Sequence, residues 1–449
     1  MADKNNFKTL ISTLTIVLLA FSYAAKSESQ HSQLIHRFQQ YLQINTAQPT
    51  PNYMPAVDFI LLQAKSIGLD VQVLEYVKSK PVILLTWQGK AKSLPSILLN
   101  SHTDVVPAEK EKWVHEPFSA HKDSNGDIYA RGSQDMKCVG LQYLEALRNL
   151  KDKGFVPLRT IHVSFVPDEE ILGRDGAQMF VGSKDFDSLN VGVVLDEGLA
   201  SPDENYRVFY GERSAPWWLV VKAVGAPGHG SKLYDNSAME NLLKSVEIIM
   251  RFRAAQFDLV KAGLACEEEV ISVNPVFLKA GTPTPTGFVM NLQPSEAEAG
   301  FDIRLSLGAN AESLEKRIAE EWAPASRNMT FQFKEKEPIK NKLGVPLVTV
   351  ANHSNPWWTL LEAAILKVGG KLHKPEIFPA ATDARFVRRR GIAAFGFSPM
   401  ANTPILLHDH NEFLNEAEYL KGVGVYEAII ESYASYMEAV EDRDTLSEL

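Results

Sequence analysis

Histidine and carboxylate residues stand at the ends of apolar segments of the chain, where they could bind a metal ion or transfer protons. The first pair is His102 and Asp104, which follow the apolar run 96–99. Because side chains alternate along an extended strand, residues two apart lie on the same side of the backbone. The pair therefore predicts a metal-ligating histidine beside an acid, although such a pair alone more often forms an ordinary polar contact.

Further candidates follow, and together they form a nitrogen and oxygen ligand set without cysteine sulfur. The set comprises His102, Asp104, Asp135, Glu169, Glu170, Asp196, Glu197 and His408. Such ligands suit zinc, cobalt or manganese. Two histidines with three or four carboxylates exceed what one zinc ion needs. They fit two ions that lie about 3.5–4 Å apart and share a bridging carboxylate.

A two-metal site with a spare glutamate is suited to the hydrolysis of an amide. The ions lower the pKa of a water molecule and polarise a carbonyl oxygen, and the glutamate transfers the proton to the leaving amine. The sequence contains neither the G-x-S-x-G motif of serine hydrolases nor the H-E-x-x-H motif of helical zinc proteases.

Apolar runs predict the strands that position these side chains. Residues 96–99, 160–166 and 191–195 read as buried strands, and each is followed by a histidine or by acids. Asp135 falls in a glycine-containing loop that leads into a helix from Lys137, where an acid could equally serve as a helix cap. Ligands of open α/β sheets bind at the carboxyl edge of the strands. The sequence therefore predicts an α/β domain with a site at that edge.

Strands and helices from about residue 214 follow the order β-α-β-β-α-β, which is typical of a ferredoxin-like module. We expect this module to be inserted into the α/β domain. The predicted boundaries are 26–213 for the first part of the catalytic domain, 214–337 for the inserted module and 338–449 for the second part.

Residues 1–25 resemble a secretory signal peptide, with basic residues before a short apolar run and small residues after it. This predicts the secretory pathway (endoplasmic reticulum, vacuole or exterior), with the cytoplasm as the alternative, and no stable membrane span after cleavage.

The net charge of −9 and the lack of a long basic run argue against nucleic acid as a partner. Cys138 and Cys266 are expected to be buried free thiols.

The segment from residue 32 to residue 438 resembles the family of dinuclear zinc peptidases and amidohydrolases. This family includes aminoacylases, glutamate-releasing carboxypeptidases and succinyl-diaminopimelate desuccinylase, and the aminoacylases are the most similar branch. The motifs that carry the resemblance are S-H-T-D-V-V-P, A-R-G-S-Q-D-M-K-C-V, T-I-H-V-S-F-V-P-D-E-E, L-D-E-G, F-Y-G-E-R-S, N-P-W-W, P-A-A-T-D-A-R, G-F-S-P-M and L-L-H-D-H-N-E.

The resemblance implies a role for each site residue. His102 and Glu197 would complete one zinc site, Glu170 and His408 the other, and Asp135 would bridge both ions. His408 is preferred to His410, and Glu197 to Asp196, by their positions in the family motifs. Asp104 would orient the His102 imidazole, and Glu169 would act as general base and then as general acid.

The inserted module resembles the lid and dimerisation domain of the family, which implies a homodimer. His229 in G-H-G would stabilise the oxyanion in the active site of the neighbouring subunit. Asn291 and Arg385 would hold the free carboxylate of a small-molecule substrate, and Gly396 would line the pocket. From the residues alone, His229 reads as an ordinary loop histidine, and Arg385 could equally pair with Asp383.

The sequence is compatible with several functions. The first is zinc-dependent hydrolysis of N-acyl-L-amino acids to a carboxylate and a free L-amino acid. The second is a dipeptidase or carboxypeptidase on the same scaffold. A free-amine substrate would need an acidic partner on the acyl side, and none of the motifs assigns a residue to that role. A non-catalytic binding protein would lack a ligand or the base, and none is missing. The reverse reaction, which joins fatty acids to amino acids, would use the same site.

Overall fold

The computed structural model describes residues 30–213 and 216–437, and these divide into two compact units. The first unit holds the described residues up to Val208, together with Val350–Pro375 and those from Ala393 onward. The second unit holds Phe209–Thr349 and Glu376–Ile392. The second unit thus extends beyond the predicted module 214–337. The predicted signal peptide lies outside the described residues.

A mixed β-sheet forms the centre of the first unit. In order across the sheet, its strands within this unit are Asp70–Val77, Lys80–Trp87, Ile161–Val166, Ser96–His102, Val191–Asp196 and Ala393–Phe397. The last four run parallel to one another, whereas the first two are antiparallel to their neighbours. The parallel strands are almost fully buried, as expected when helices cover a sheet.

Five long helices accompany this sheet. They are residues 30–42, Met54–Ile67, Lys137–Asp152, Pro356–Lys367 and Glu416–Ser435. The helix Met54–Ile67 ends at Gly68, which adopts a left-handed cap conformation with φ of 74°. The helix Lys137–Asp152 is almost wholly buried, because it packs against both the Ser96–His102 strand and the C-terminal helix.

Short elements complete the first unit. Its short strands are His121–Lys122, Asp127–Tyr129, Asn205–Tyr206, Lys371–Leu372 and Phe413–Asn415. Its short helical segments are Lys110–Lys112, Glu169–Ile171, Arg174–Gln178, Met179–Val181 and Lys184–Ser188. No helix of the described ranges combines the length and apolar character that crossing a membrane requires.

The second unit is built on a four-stranded antiparallel sheet. In order across the sheet, its strands are Ser272–Ala280, Glu296–Arg304, Trp217–Val224 and Met329–Lys336. The helix Ala238–Lys261 packs on this sheet, and the helix Ala311–Arg317 continues as a wider turn over Ile318–Trp322. This strand order and helix placement are those of the predicted βαββαβ module, so the predicted fold class is confirmed.

The remaining elements of the second unit are short. Its strands pair as Val208–Glu212 with Glu376–Phe378, Gly228–His229 with Leu292–Gln293, and Pro283–Thr284 with Gly287–Phe288. Its short helical segments are Glu267–Glu269, Ala325–Arg327 and Ala384–Arg389. The prediction that both cysteines are buried was wrong for Cys266, which is exposed. Cys266 precedes the turn Glu267–Glu269, where its backbone amide donates to the Glu269 carboxylate, so it caps a surface turn.

Close packing at Gly140 should make the first unit sensitive to one added methyl group. A Cβ at Gly140 would lie 2.5 Å from Ser101 Oγ and 2.7 Å from a ring carbon of Phe165. We expect Gly140→Ala to lower the free energy of unfolding by about 1–2 kcal/mol, measured by urea denaturation. The matched control is Gly424→Ala on an exposed helix position with nothing within 4 Å. This control should raise the free energy by about 0.5–1 kcal/mol. Equal effects at both glycines would contradict the packing argument.

Candidate metal centre and active site

Three adjacent parallel strands deliver the candidate residues to one edge of the sheet. His102 is the last residue of the strand Ser96–His102, and it lies opposite Val166, the last residue of the next strand. Glu169 and Glu170 follow that strand within four residues. Glu197 follows directly after the strand Val191–Asp196 on the other side. The carboxyl ends of parallel strands meet at one edge, so residues far apart in sequence come together there.

Asp135 lies between two imidazoles. Its Oδ1 atom is 3.0 Å from Nε2 of His102, and its Oδ2 atom is 3.2 Å from Nε2 of His408. Asp135 is 6% exposed and His102 1% exposed, whereas the His408 side chain is 56% exposed. The two oxygens of one carboxylate thus face two different potential nitrogen ligands, and the His408 side of the cluster is open to solvent.

Glu197 and Glu170 lie nearest to different imidazoles. Glu197 Oε2 is 3.8 Å from Nε2 of His102, and Glu170 Oε2 is 3.1 Å from Nε2 of His408. The potential ligand atoms of His102, Glu169 and Glu197 all lie within 4.8 Å of one another. His410 is not part of this cluster in the described structure; its Nε2 atom is 3.9 Å from Glu109.

The protonation of the cluster reflects a high density of buried negative charge. Burial and the neighbouring Asp135 carboxylate raise the pKa of Glu170 to about 7. Burial and Asp135 likewise raise the pKa of Glu197 well above its ordinary value. Hydrogen bonds to Asp135 and Glu170 raise the pKa of His408 to about 10. Although burial opposes it, hydrogen bonding to both imidazoles lowers the pKa of Asp135. The buried negative charge thus favours the protonated forms of Glu170, Glu197 and His408, and bound cations can supply the same neutralisation instead.

Asp104 contacts His102 through its backbone. Nδ1 of His102 is 2.9 Å from the Asp104 carbonyl oxygen and 3.7 Å from the Asp104 carboxylate. A carbonyl can only accept, so Nδ1 carries the proton, and Nε2 faces the cluster. The carboxylate of Asp104 instead accepts the backbone amides of Glu169 and Glu170 at 3.1 and 3.2 Å. Asp104 therefore orients the imidazole by its main chain and the Glu169–Glu170 turn by its side chain.

The structure also adds supporting residues to which no role was predicted. Asp168 adopts a left-handed conformation with φ of 64° and accepts the hydroxyl of Tyr53 at 2.6 Å. Glu412 is fully buried and binds the loop that carries Asp135. Asp168 lies in the P-D-E-E motif and Glu412 in the H-D-H-N-E motif. A motif does not distinguish an acid that faces the cluster from an acid that binds the backbone.

Asp196, the alternative to Glu197, is engaged within the sheet. Its Oδ1 atom accepts a hydrogen bond of 3.0 Å from the Asn100 side chain, and Asn100 accepts one of 2.6 Å from Ser164. These residues lie on three neighbouring strands. Gly396, predicted to line the pocket, pairs with Asp196 from the next parallel strand.

The other predicted site residues lie in the second unit. His229 pairs with Leu292 in a two-residue ladder, and the adjacent Gly230 amide donates to the Asn291 carbonyl at 2.8 Å. The structure thus brings His229 and Asn291 together. Arg385 is 3% exposed in the helix Ala384–Arg389, where it donates to the carbonyl of Thr382.

The chain is similar to curated proteins over nearly their full lengths. Aminoacylase-1 of Mus musculus is 44% identical over 409 residues, which are 91% of this chain and 97% of the mouse protein. Aminoacylase-1 of Homo sapiens is 42% identical over 412 residues, which are 92% and 98% of the two chains.

Solved structures share the fold at low sequence identity. The M20 family metallo-carboxypeptidase of Sulfolobus solfataricus has a TM-score of 0.66 at 18% identity, over 89% of this chain and 99% of that one. Human carnosine dipeptidase 1 has a TM-score of 0.64 at 15% identity, over 91% and 97%. Residues 98–432 match the profile of the peptidase family M20/M25/M40. The family resemblance predicted from the motifs is therefore confirmed, and the chain belongs to the peptidase family M20/M25/M40.

Proposed function

We propose that the protein is a zinc-dependent amidohydrolase that cleaves N-acyl-L-amino acids to a carboxylate and a free L-amino acid. The observation that carries the proposal is Asp135, whose two carboxylate oxygens face His102 and His408. This is the arrangement that a carboxylate shared by two metal ions requires. The similarity to aminoacylase-1 over nearly the full length of that protein supports the choice of substrate.

The proposed site holds two zinc ions per subunit. His102 and Glu197 would bind one ion, Glu170 and His408 the other, and Asp135 both. The donor set fits zinc, because it combines imidazole nitrogens with carboxylate oxygens. Moreover, the buried Oε1 atom of Glu170 has no hydrogen-bond partner among the described residues, and a cation would satisfy it. Bound zinc would supply Lewis acidity and lower the pKa of a water molecule.

Glu169 would transfer the proton in this reaction. Its carboxylate lies within reach of His102 and Glu197, and its backbone is fixed by the Asp104 carboxylate. As water adds to the amide carbonyl, Glu169 accepts the proton of that water. It then donates the proton to the amide nitrogen as the carbon–nitrogen bond breaks, which releases the amine of the amino acid.

His229 would stabilise the negative charge that develops on the carbonyl oxygen. Its Nδ1 atom accepts the backbone amide of Ser231 at 3.2 Å, and the Ser231 hydroxyl lies 2.8 Å away. In the neutral ring the proton therefore resides on Nε2, which is free to donate to an oxyanion. Asn291 and Arg385 would hold the substrate carboxylate, for which a guanidinium offers two parallel hydrogen bonds.

The proposed assembly is a homodimer in which the second unit supplies His229 to the partner. Support comes from the edge strand Ser272–Ala280, which exposes Val276, Phe277 and Leu278 to solvent at 62%, 42% and 59%. An exposed apolar edge strand is prone to pair with another chain. A symmetric dimer would cover this edge in both subunits.

Zinc should stabilise the protein through His408 and not through its neighbour His410. We expect removal of metal by a chelator to lower the melting temperature, and zinc at 100 times its dissociation constant to restore about 2.7 kcal/mol of stability. His408→Ala should diminish this zinc-dependent shift because it removes a ligand. His410→Ala, the matched control, should retain the full shift in differential scanning fluorimetry. Equal shifts in both variants would contradict the assignment of His408.

The substrate class can be tested by the release of free amino acid from a panel of N-acetyl-L-amino acids and dipeptides. We expect turnover of the N-acetyl compounds and little of the dipeptides. Glu169→Ala should lower kcat by about 10²–10⁴-fold through loss of acid–base catalysis. Its zinc content should remain that of the wild type. Preferential cleavage of dipeptides would favour the peptidase alternative, and normal turnover by Glu169→Ala would refute the role of Glu169.

Mixed dimers can test whether the active site is shared between subunits. Glu169→Ala and His229→Ala should each be inactive alone. A reassociated equal mixture should regain about a quarter of wild-type activity, since half the dimers are mixed and each mixed dimer has one complete site. The control mixture combines Glu169→Ala with a variant that carries both Glu169→Ala and His229→Ala. It should stay inactive, because no subunit has Glu169. A first mixture that also stays inactive, although the subunits exchange, would contradict a shared site.

A further inference from the structure

A single buried carboxylate organises the loop that carries Asp135. Glu412 is 0% exposed. One of its oxygens accepts Arg131 Nη1 at 2.8 Å and the Gly132 amide at 3.1 Å. The other accepts the amides of Gln134 and Asp135 at 2.6 and 3.2 Å. Three backbone amides and one guanidinium therefore converge on one anion, an arrangement that fixes the path of the loop.

The same interactions reach the loop that carries His408. Arg131, held by Glu412, directs its Nη2 atom at the carbonyl oxygen of His408 at 3.4 Å. The side chain of Gln134 donates to the carbonyls of Pro404 and Phe413 at 3.0 and 2.8 Å. His408 has φ of 63°, a left-handed conformation that a residue with a side chain holds only with support from its surroundings. The loops of Asp135 and His408 are thus joined through residues adjacent to Glu412.

The other half of the cluster is held independently of Glu412. His102 ends one parallel strand and Glu197 follows the next, so the sheet ladder sets their positions. Asp104 fixes the turn that presents Glu170. The His408 end of the cluster consists of Asp135, Glu170 and His408. Of these, only Asp135 and His408 lie on the loops that Glu412 joins.

We infer that Glu412 is a positioning residue that sets Asp135 and His408 for the metal ion they would share. This inference rests on the proposed function, because it presumes zinc at that position. Loss of the Glu412 carboxylate should lower the affinity for the ion at His408 more than the affinity for the ion at His102. Replacement of a residue that orients metal ligands typically lowers metal affinity by about 10–100-fold.

The test is a competition titration of zinc against a chromophoric chelator, which resolves two binding steps per subunit. The principal variant is Glu412→Gln, which keeps the shape of the side chain but turns one acceptor oxygen into a donor that faces other donors. We expect the affinity of one binding step to fall by about 10–100-fold. The affinity of the other step should fall less, because that ion shares Asp135 but not His408. The weakened step is identified as the step that His408→Ala abolishes.

A matched control separates positioning from general loss of a buried charge. Glu145 is also 0% exposed, and its side chain is bound by the guanidinium groups of Arg37 and Arg148. Neither arginine is a predicted metal ligand. Glu145→Gln should therefore lower thermal stability but leave both zinc-binding steps unchanged. Glu412→Asp, which keeps the charge but shortens its reach, should weaken the same step as Glu412→Gln.

The outcomes are distinct. Two unchanged zinc-binding steps in Glu412→Gln, or equal weakening of both, would overturn the inference and leave the proposed function intact. Failure of both Glu412 variants to fold, when Glu145→Gln folds, would also overturn it, because the carboxylate would then be a folding requirement. A wild-type protein that binds fewer than two zinc ions would contradict the proposed function itself and, with it, this inference.

Discussion

Buried carboxylates crowd around Asp135 at the carboxyl edge of the sheet, and their mutual repulsion is the main constraint on this part of the molecule. Asp135, Glu170 and Glu197 are gathered where water screens their repulsion poorly. Such a cluster persists only if rigid elements hold it and if positive charge neutralises it. The parallel strands supply the rigidity, and His102 and His408 place nitrogen atoms between the acids. The residues around the cluster mainly act to hold these groups in place.

Two kinds of support hold the cluster. The sheet ladder fixes His102 and the acids that follow the neighbouring strands, and this support is regular and repeats along the strands. The Glu169–Glu170 turn and the loop of Asp135 extend beyond this ladder and depend on buried carboxylates that accept backbone amides. Asp104 and Glu412 both act in this way, each by means of a carboxylate that accepts main-chain N–H groups. The sheet ladder follows from the fold class, whereas the carboxylates that accept amides are contributed by individual residues.

The sequence predicts much of this arrangement, because apolar runs mark the strands and the acids that follow them. The βαββαβ order was also predictable from the alternation of strand and helix patterns. The contacts of Asp104 and Glu412 were not, since a carboxylate that binds amides carries no sequence pattern that distinguishes it from a ligand. The prediction of a buried thiol was wrong for Cys266 because it relied on the usual burial of free cysteines. Here the residue precedes a surface turn and is exposed.

The candidate ligands span the chain from His102 to His408, and this spacing has a consequence for biosynthesis. A nascent chain that has emerged only as far as Glu197 already contains His102, Asp135 and both glutamates, but it lacks the imidazole that faces Glu170. The acids would repel one another without their last counter-charge until the C-terminal loop is made. Completion of this cluster therefore requires synthesis of the C-terminal segment that carries His408.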